Sequence, residues 1–346
     1  MPAFLGITSF GGRDVNRDRI IVGAGTVVYD TVNLPPDSSS STSAGGNGVS
    51  LRIPWYDDET SGTFSPSTGE YWFHGRIFTA LNNTNNDTLR LGVARNGSEH
   101  VTVSAEDSTN KLVIRVAGSI RATAASAALS VGTWARVHCH VSGVTAGSVV
   151  SVYMDGDLST PVVTYTLIGA DATALSAAGL PNEFMVVGKS GDGTGRFDDL
   201  FALDPIDAQA PGIQFLVSAD IAEQVVNGAG SFTDWLGSYA DIDERPASSA
   251  DKIVASAVGE TSSFVKAPIG QDNVFAVKVM VNMSRTGTAA GANVIIGTKE
   301  GADTEGRTVP APGSGDVQAI FQVAPDGTAW SPTKYDATEI AFTSET

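Results

Sequence analysis

The clearest pattern in the chain is an alternation of two residue classes over Trp134–Val141. A period of two is typical of a strand with one buried face. We therefore expect every second side chain to share a face and the intervening small apolar ones to enter a core. The first set is Trp134, Arg136, His138 and His140, and the second is Ala135, Val137, Cys139 and Val141.

More strands are predicted in the same region of the sequence. An apolar run over 147–154 ends at Asp155-Gly156, a dipeptide that favours a tight hairpin turn. Residues 184–189 then lead through the glycine-rich segment 190–195 into a last strand over 196–204. The whole region 131–204 therefore predicts successive strands with turns between them and no helix.

Short strands are also predicted before this region, and almost no helical periodicity is present. The segment 35–48, with two prolines, a serine run and several glycines, predicts an exposed loop. Many short strands separated by turn residues indicate a β-sandwich or jelly roll. The predicted strands are 20–29, 49–53, 71–78, 88–94, 101–104 and 111–116.

The composition changes after Asp204, which predicts a second β domain. We expect an N-terminal arm at 1–20, a jelly-roll sandwich at 21–205, a linker at 206–229 and a smaller C-terminal β-sandwich at 230–346. The arm contains Arg13, Arg17 and Arg19, which suit either a solvated segment or attachment to an acidic subunit. Strands of the second domain are predicted at 252–258, 261–266, 274–283, 292–298, 317–323 and 338–342.

Composition limits the classes of partner. The chain has 346 residues, 42% of them hydrophobic and only 17% charged, as expected of an all-β protein with small side chains. Its net charge of −17 argues against binding of nucleic acid, because that affinity depends on Lys and Arg that neutralise phosphates. No apolar run approaches the roughly 20 residues that cross a bilayer, so membrane insertion is not expected.

Two features of the sequence indicate the compartment in which the protein is made, namely the single cysteine and the N-terminal residues. Cys139 excludes an intrachain disulfide, and its place on a strand predicts a buried thiol. The first residues lack a charged segment followed by an apolar one, so we expect no secretory signal and synthesis in a cytoplasm.

Catalytic patterns are absent, so we expect no enzyme and assign no catalytic or cofactor-binding residue. A jelly-roll glycosidase needs two carboxylates on one strand face. Asp198 and Asp199 are neighbours, which predicts opposite faces, and the segment 241–244 is interpreted as a structural turn. The nucleophile elbow, the zinc-protease motif and the phosphate loop are also missing.

Two segments leave metal binding open. Asp192, in a glycine-rich loop, with Asp198 and Asp199 offers the oxygen ligands that calcium prefers, although Asp-Gly pairs also simply form turns. His138 and His140 share a strand face, but with no third ligand in view we expect rim histidines rather than zinc ligands.

Tryptophans offer candidate sugar contacts. Trp72 and Trp134 are interpreted as core residues rather than sugar platforms. Trp55 and Tyr56, beside the acidic residues 57–59, suit either stacking on a sugar or an ordinary loop rim.

The first domain resembles the concanavalin-A-like lectin and laminin-G-like jelly rolls. The similarity lies in Trp134 with Val137, in the hairpin Val152–Gly156 and in the strand Phe197–Leu200, and it spans residues 20 to 205. It implies a lectin-like sandwich and leaves the ligand open, with calcium an additional ligand in some relatives.

The second domain is similar to C-terminal modules of tailed-bacteriophage structural proteins. The similarity lies in Trp235 with Ile242–Pro246, in a long strand that ends at Ser284-Arg285, and in Trp330-Ser331. The two resemblances together imply a virion appendage, such as a tail fibre, baseplate or head decoration, assembled in the bacterial cytoplasm. They also imply other virion subunits and a homo-oligomer as partners, and host-surface glycans as ligands. A free carbohydrate-binding protein or a jelly-roll polysaccharide hydrolase is the alternative.

Overall fold

Two compact units divide the chain, with 222–346 in the second. A computed structural model describes residues 3–8, 21–30, 41–54, 66–79, 90–106, 109–155, 157–187, 195–205, 224–242, 252–270, 273–284, 293–310 and 314–345. Helices within these ranges are all too short or too polar to cross a membrane.

The first unit is a single antiparallel sheet that is folded over one core. Its strands are β1 (Ala3–Thr8), β2 (Ile21–Asp30), β3 (Ser41–Pro54), β4 (Tyr71–Thr79), β5 (Arg90–Arg95), β6 (Ser98–Ala105), β7 (Leu112–Val116), β8 (Ser119–Thr123), β9 (Trp134–Val141), β10 (Val149–Met154), β11 (Val163–Thr166), β12 (Glu183–Val187) and β13 (Gly195–Asp204). They pair in the order β11-β10-β9-β4-β13-β3-β12-β5-β6-β7-β8, with β1 on β13 and β2 on β3.

The long strand β3 joins the two layers of this sandwich. Its first residues pair with β13 and its last residues pair with β12. At the two ends of the order, β11 contacts β7 and β8, so the sheet closes around its core. This arrangement confirms the predicted all-β jelly-roll sandwich.

The core lies between the layer of β4, β9, β10 and β13 and the layer of β5, β6, β7 and β12. Tyr71 and Phe73 from the first layer and Leu91 and Ile114 from the second layer are fully buried in it. The layers approach closely at Gly75, where an added Cβ would lie 2.6 Å from the Leu91 side chain. Cys139 is buried in this core, as predicted.

Two sequence predictions for this unit are wrong. A helix, α1 (Gly169–Ala178), follows β11 in the region predicted to contain no helix. The predicted loop over 35–48 is part of strand β3 from Ser41 onwards. Glycine and serine are poor strand formers, and pairing with β2 and β13 overrides that preference.

The second unit contains two antiparallel sheets, which confirms the prediction of a smaller β domain. The strands of the larger sheet follow the order β14 (Val226–Thr233), β15 (Thr261–Lys266), β20 (Glu339–Glu345), β17 (Asn293–Glu300) and β18 (Asp303–Pro310). The smaller sheet pairs β16 (Val277–Ser284) with β19 (Ser314–Phe321). Of the strand predicted at 252–258, only an isolated bridge between Val254 and Leu236 forms.

The core of the second unit contains several aromatic side chains, and one lysine is buried beside them. Phe264, Phe342, Trp330 and Tyr335 are buried in this core. Lys266 is also buried, and its Nζ donates to the carbonyl oxygens of Tyr335 and Thr338 at the end of helix α2 (Pro332–Ala337). The ammonium therefore satisfies carbonyls that a helix end leaves without partners.

Candidate functional site

The candidate site is the face of β4, β9 and β10 that points away from the sandwich core. Phe73, Val137 and Cys139 enter the core, so their neighbours along each strand point to the opposite face. The strand register places Trp72 beside His140 and His74 beside His138, with Tyr153 beside His138 on the other side. We call Trp72, His74, His138, His140 and Tyr153 the aromatic face. The predicted grouping of Trp134, Arg136, His138 and His140 on one face is confirmed.

Trp72 is the centre of a stacked group on the aromatic face. Its ring lies 4.4 Å from the His140 ring at an angle of 12°, and 5.7 Å from the Tyr153 ring at 26°. Trp72 is only 3% exposed, whereas Tyr153 and His140 are half-buried. The tyrosine and histidine are therefore the parts of the stack that a ligand reaches first.

Glu70 adds a carboxylate to the rim of the stack. Its Oε1 lies 2.9 Å from His140 Nε2, and the Glu70 side chain is 35% exposed. The carboxylate fixes the orientation of the imidazole that stacks on Trp72. The rim thus combines aromatic surface with hydrogen-bonding groups, the mixture that small-ligand sites use for affinity and orientation.

Beneath this rim lies a buried histidine pair. The Nδ1 atoms of His74 and His138 are 2.8 Å apart, and the His74 ring also stacks on Phe201 at 4.2 Å. Burial lowers the pKa of His138 to about 4 and the pKa of His74 well below its usual value. The positive charge of Arg136 lowers both values further, so both rings are neutral at pH 7. His138 is therefore buried, and its prediction as a rim histidine is wrong; His140 fits that prediction.

An ion pair closes the other end of the aromatic face. Arg76 Nε lies 2.9 Å from Asp199 Oδ2, and both side chains are buried. The register of β13 on β4 shifts between Asp198 and Phe201, and Asp199 adopts a left-handed φ of 51°. This bulge turns Asp199 towards Arg76, which lies opposite Asp198 in the register. The predicted placement of the two aspartates on opposite faces is therefore wrong.

The contacts of Asp198 and Asp199 at this bulge argue against calcium binding there. Asp199 holds a guanidinium, and Asp198 Oδ1 accepts a hydrogen bond from the Asp199 N–H. A cation beside Arg76 would be repelled, which disfavours calcium at these two carboxylates. Asp192 lies outside the described residues. Where the structure is described, no group of three or more His, Cys, Asp or Glu could hold a metal ion.

The remaining predicted site residues are placed as follows. Trp72 is buried, which agrees with its prediction as a core residue, whereas Trp134 is only half-buried against Phe78, with 5.5 Å between the rings. Asp241 Oδ2 accepts hydrogen bonds from the N–H and Oγ of Ser238, which agrees with the predicted turn. Trp55, Tyr56, residues 57–59 and residues 243–244 lie outside the described residues.

Sequence reasoning missed Glu70, His74 and Tyr153 as members of the site. The alternation in the predicted strand 71–78 places His74 on the same face as Trp72, so that signal was present. Glu70 precedes the predicted strand, and Tyr153 lies in the hairpin motif Val152–Gly156. Their roles depend on which strands are neighbours.

Comparisons with known proteins show distant similarity. No protein-family model matches the chain, and no curated protein matches it significantly. Among solved structures, domain 4 of AbnA, a GH43 extracellular arabinanase from Geobacillus stearothermophilus in complex with arabinotriose, is 14% identical, with a TM-score of 0.36 over 59% of this chain and 93% of that one.

Two other solved structures are similar at the same level. The globular domain of T. cruzi calreticulin is 8% identical, with a TM-score of 0.42 over 62% of this chain and 92% of that one. Lectin II from Ulex europaeus is 9% identical, with a TM-score of 0.34 over 54% of this chain and 95% of that one. The fold class stated above depends on the strand pairing of the chain itself: an all-β protein with an N-terminal jelly-roll sandwich.

Proposed function

We propose that the first unit is a non-enzymatic glycan-binding module that uses the rim of the aromatic face. The observation that supports this proposal is the stack of Trp72, His140 and Tyr153 beside the Glu70 carboxylate. The apolar face of a sugar ring packs on an aromatic ring, and its hydroxyl groups hydrogen-bond to carboxylate and phenol oxygens. Tyr153 would supply the ring contact and Glu70 the hydroxyl acceptor.

The finer proposal places this module on an exposed appendage of a bacteriophage virion, assembled in the bacterial cytoplasm with other virion subunits. Its support is the pair of sequence resemblances, one in each half of the chain. Mass spectrometry of purified virions from a lysate that expresses the chain tests this context. Recovery of the chain only from the unassembled soluble fraction would overturn it and favour a free carbohydrate-binding protein.

The carboxylates of the aromatic face support binding rather than hydrolysis. Asp198 and Asp199 are buried, so a polysaccharide does not reach them, and Asp199 is held by Arg76. Glu70 is partly exposed, with His140 on its Oε1, and is a single accessible carboxylate. A glycosidase instead needs two accessible carboxyl groups on either side of the scissile bond. Release of new reducing ends from a bound polysaccharide would overturn the non-enzymatic assignment.

A glycan array with the full chain tests the binding proposal. We expect Tyr153→Ala and Glu70→Gln each to weaken binding of the recognised glycan by about tenfold or more. Glu106→Gln is the matched control, because Glu106 is also half-exposed in the first unit but lies outside the aromatic face. Binding that survives both site variants would overturn the site, and a folded chain that binds no glycan would overturn the function.

A further inference from the structure

A polar network in the second unit holds one exposed phenylalanine in place. Strand β14 bulges between Ala229 and Thr233, where its register on β15 shifts. Glu339 Oε2 accepts hydrogen bonds from Ser231 N–H, Ser231 Oγ and Ser263 Oγ, and Phe232 N–H donates to Ser263 Oγ. Bulges of this kind re-aim a side chain. Here the bulge leaves Phe232 40% exposed on the surface.

Other large apolar side chains are exposed along the same part of the chain. Leu236 is 68% exposed, and its backbone forms a two-bond bridge with Val254, which is also exposed. Val258 follows in the same segment and is exposed as well. We call Phe232, Leu236, Val254 and Val258 the Phe232 surface. Exposed apolar side chains on rigid backbone are typical of interfaces, because little entropy is lost when they are buried.

The distribution of charged residues indicates which kind of partner covers the Phe232 surface. The chain carries a net charge of −17, so two copies repel each other across most approaches. The stretch from Val225 to Ala240 contains only one charged residue, Asp234, which makes it a surface where copies can meet. Strand β14 is also at the end of its sheet and pairs only with β15 among the described strands.

The charges next to Phe232 have both signs, since Glu339 and Lys299 both hydrogen-bond to Ser231 Oγ. Lys299 Nζ lies 5.0 Å from the centre of the Phe232 ring and donates to Ser231 Oγ. Asp234, of opposite sign, follows Phe232 by two residues and is exposed. A two-fold contact turns the same patch of each copy towards the other, so an acid and a base on one patch can pair twice.

We infer that the Phe232 surface is the contact between two copies of this chain, with Lys299 of each copy facing Asp234 of the other. This inference is independent of glycan binding, since it concerns only the second unit.

Light scattering after size-exclusion chromatography of the full chain, at micromolar concentration, is the first test. We expect a dimer or a multiple of it, and expect Leu236→Glu to weaken association by about tenfold or more. Ile120→Glu is the matched control, because Ile120 is also apolar and more than half exposed but lies on β8 in the first unit. A monomeric wild-type chain would overturn the inference, as would an oligomer that Leu236→Glu leaves intact.

A charge exchange distinguishes a two-fold self-contact from a contact with a different protein. Lys299→Glu and Asp234→Lys should each reduce self-association, because each places like charges opposite one another twice. An equimolar mixture of the two variants should associate again, because every pair in the mixed dimer then has opposite charges. If the mixture stays monomeric while both variants keep wild-type circular dichroism, the proposed pairing is wrong.

Discussion

His74 and His138 share a single proton between Nδ1 atoms that lie 2.8 Å apart. Two N–H groups cannot face each other at that distance, so one ring carries its proton on Nδ1 and the other on Nε2. Neither Nε2 atom has a hydrogen-bond partner among the described residues. A second proton on the accepting Nδ1 would break this hydrogen bond, and a second proton at any position would place a charge near Arg76 and Arg136.

Acidification should destabilise the first unit at pH values above those at which its carboxylates take up protons. Burial lowers the pKa of His138 and of His100 from the usual 6.5 to about 4. Between pH 6.5 and 4 the unfolded chain therefore binds protons that the folded chain does not, so stability falls as pH falls through this window. Above pH 6.5 these groups contribute no slope.

The loss reaches on the order of 3 kcal/mol per histidine by pH 4. Urea unfolding at steps from pH 7.5 to 5 follows the first part of this loss, and His74→Phe/His138→Phe should flatten the slope. An unfolding midpoint that stays constant from pH 7 to 5 would contradict neutral buried histidines.

The histidine pair should also show strong coupling in a double-mutant cycle. His74→Phe or His138→Phe alone leaves one buried Nδ1 without a partner, at a cost of about 1–3 kcal/mol. The double variant removes both polar groups and keeps ring-shaped side chains next to Phe201, so it should cost clearly less than the sum. Urea unfolding of the four chains gives the coupling energy, and simple additivity would mean that the two rings do not share a proton.

Breaking the buried ion pair should be among the most damaging single changes in the sandwich. Arg76→Met leaves the Asp199 carboxylate buried without its cation, which costs about 3–5 kcal/mol. Lys334→Met is the control, because Lys334 pairs with Asp326 where both side chains are partly exposed, and solvent screens such pairs so that their loss costs little stability. Equal losses for the two variants in thermal or urea unfolding would contradict a desolvated Arg76–Asp199 pair.

Lys266 should contribute to the stability of the second unit and not to that of the first unit. Lys266→Met removes the donor to two carbonyl oxygens at the end of α2, and hydrogen bonds from a charged group contribute about 1.5–3 kcal/mol. The exposed Lys252, replaced in the same way, is the control. Hydrogen exchange should show faster opening of 332–338 in the Lys266 variant, with the first unit unchanged; a uniform effect over both units would argue against this local role.

Alternation along the sequence predicted strand faces well, because a half-buried strand shows its two environments directly. It placed Cys139 in the core and His140 on the opposite face. Helix α1 was missed because its residues are mostly small and only Asp171 and Leu175 are buried, so no helical stripe marks it. Contacts with residues outside the helix hold it, since the Asp171 carboxylate binds Arg121 and accepts a hydrogen bond from the Tyr165 hydroxyl.

The site was harder to predict than the fold because the residues that contact one another in the site lie on different strands. Alternation indicates that Trp72 and His140 each leave the core, but only the register of β4 on β9 makes them neighbours. The turn of Asp199 towards Arg76 depends on a left-handed φ at a residue other than glycine. No local sequence pattern marks that conformation.

The position of β13 has a consequence for synthesis of the chain. This strand pairs with β1, β3 and β4, yet it is the last strand of the sandwich to be made. At 5–20 residues per second, about 10–40 s pass before a ribosome reaches Gly195. Until then β3 has no partner strand in the layer of β4, and β4 offers an open edge to any other chain. The sandwich therefore completes its folding only after translation has passed Asp204. Before that point the unpaired edge of β4 is exposed, so this is the interval in which a chaperone would protect the chain most.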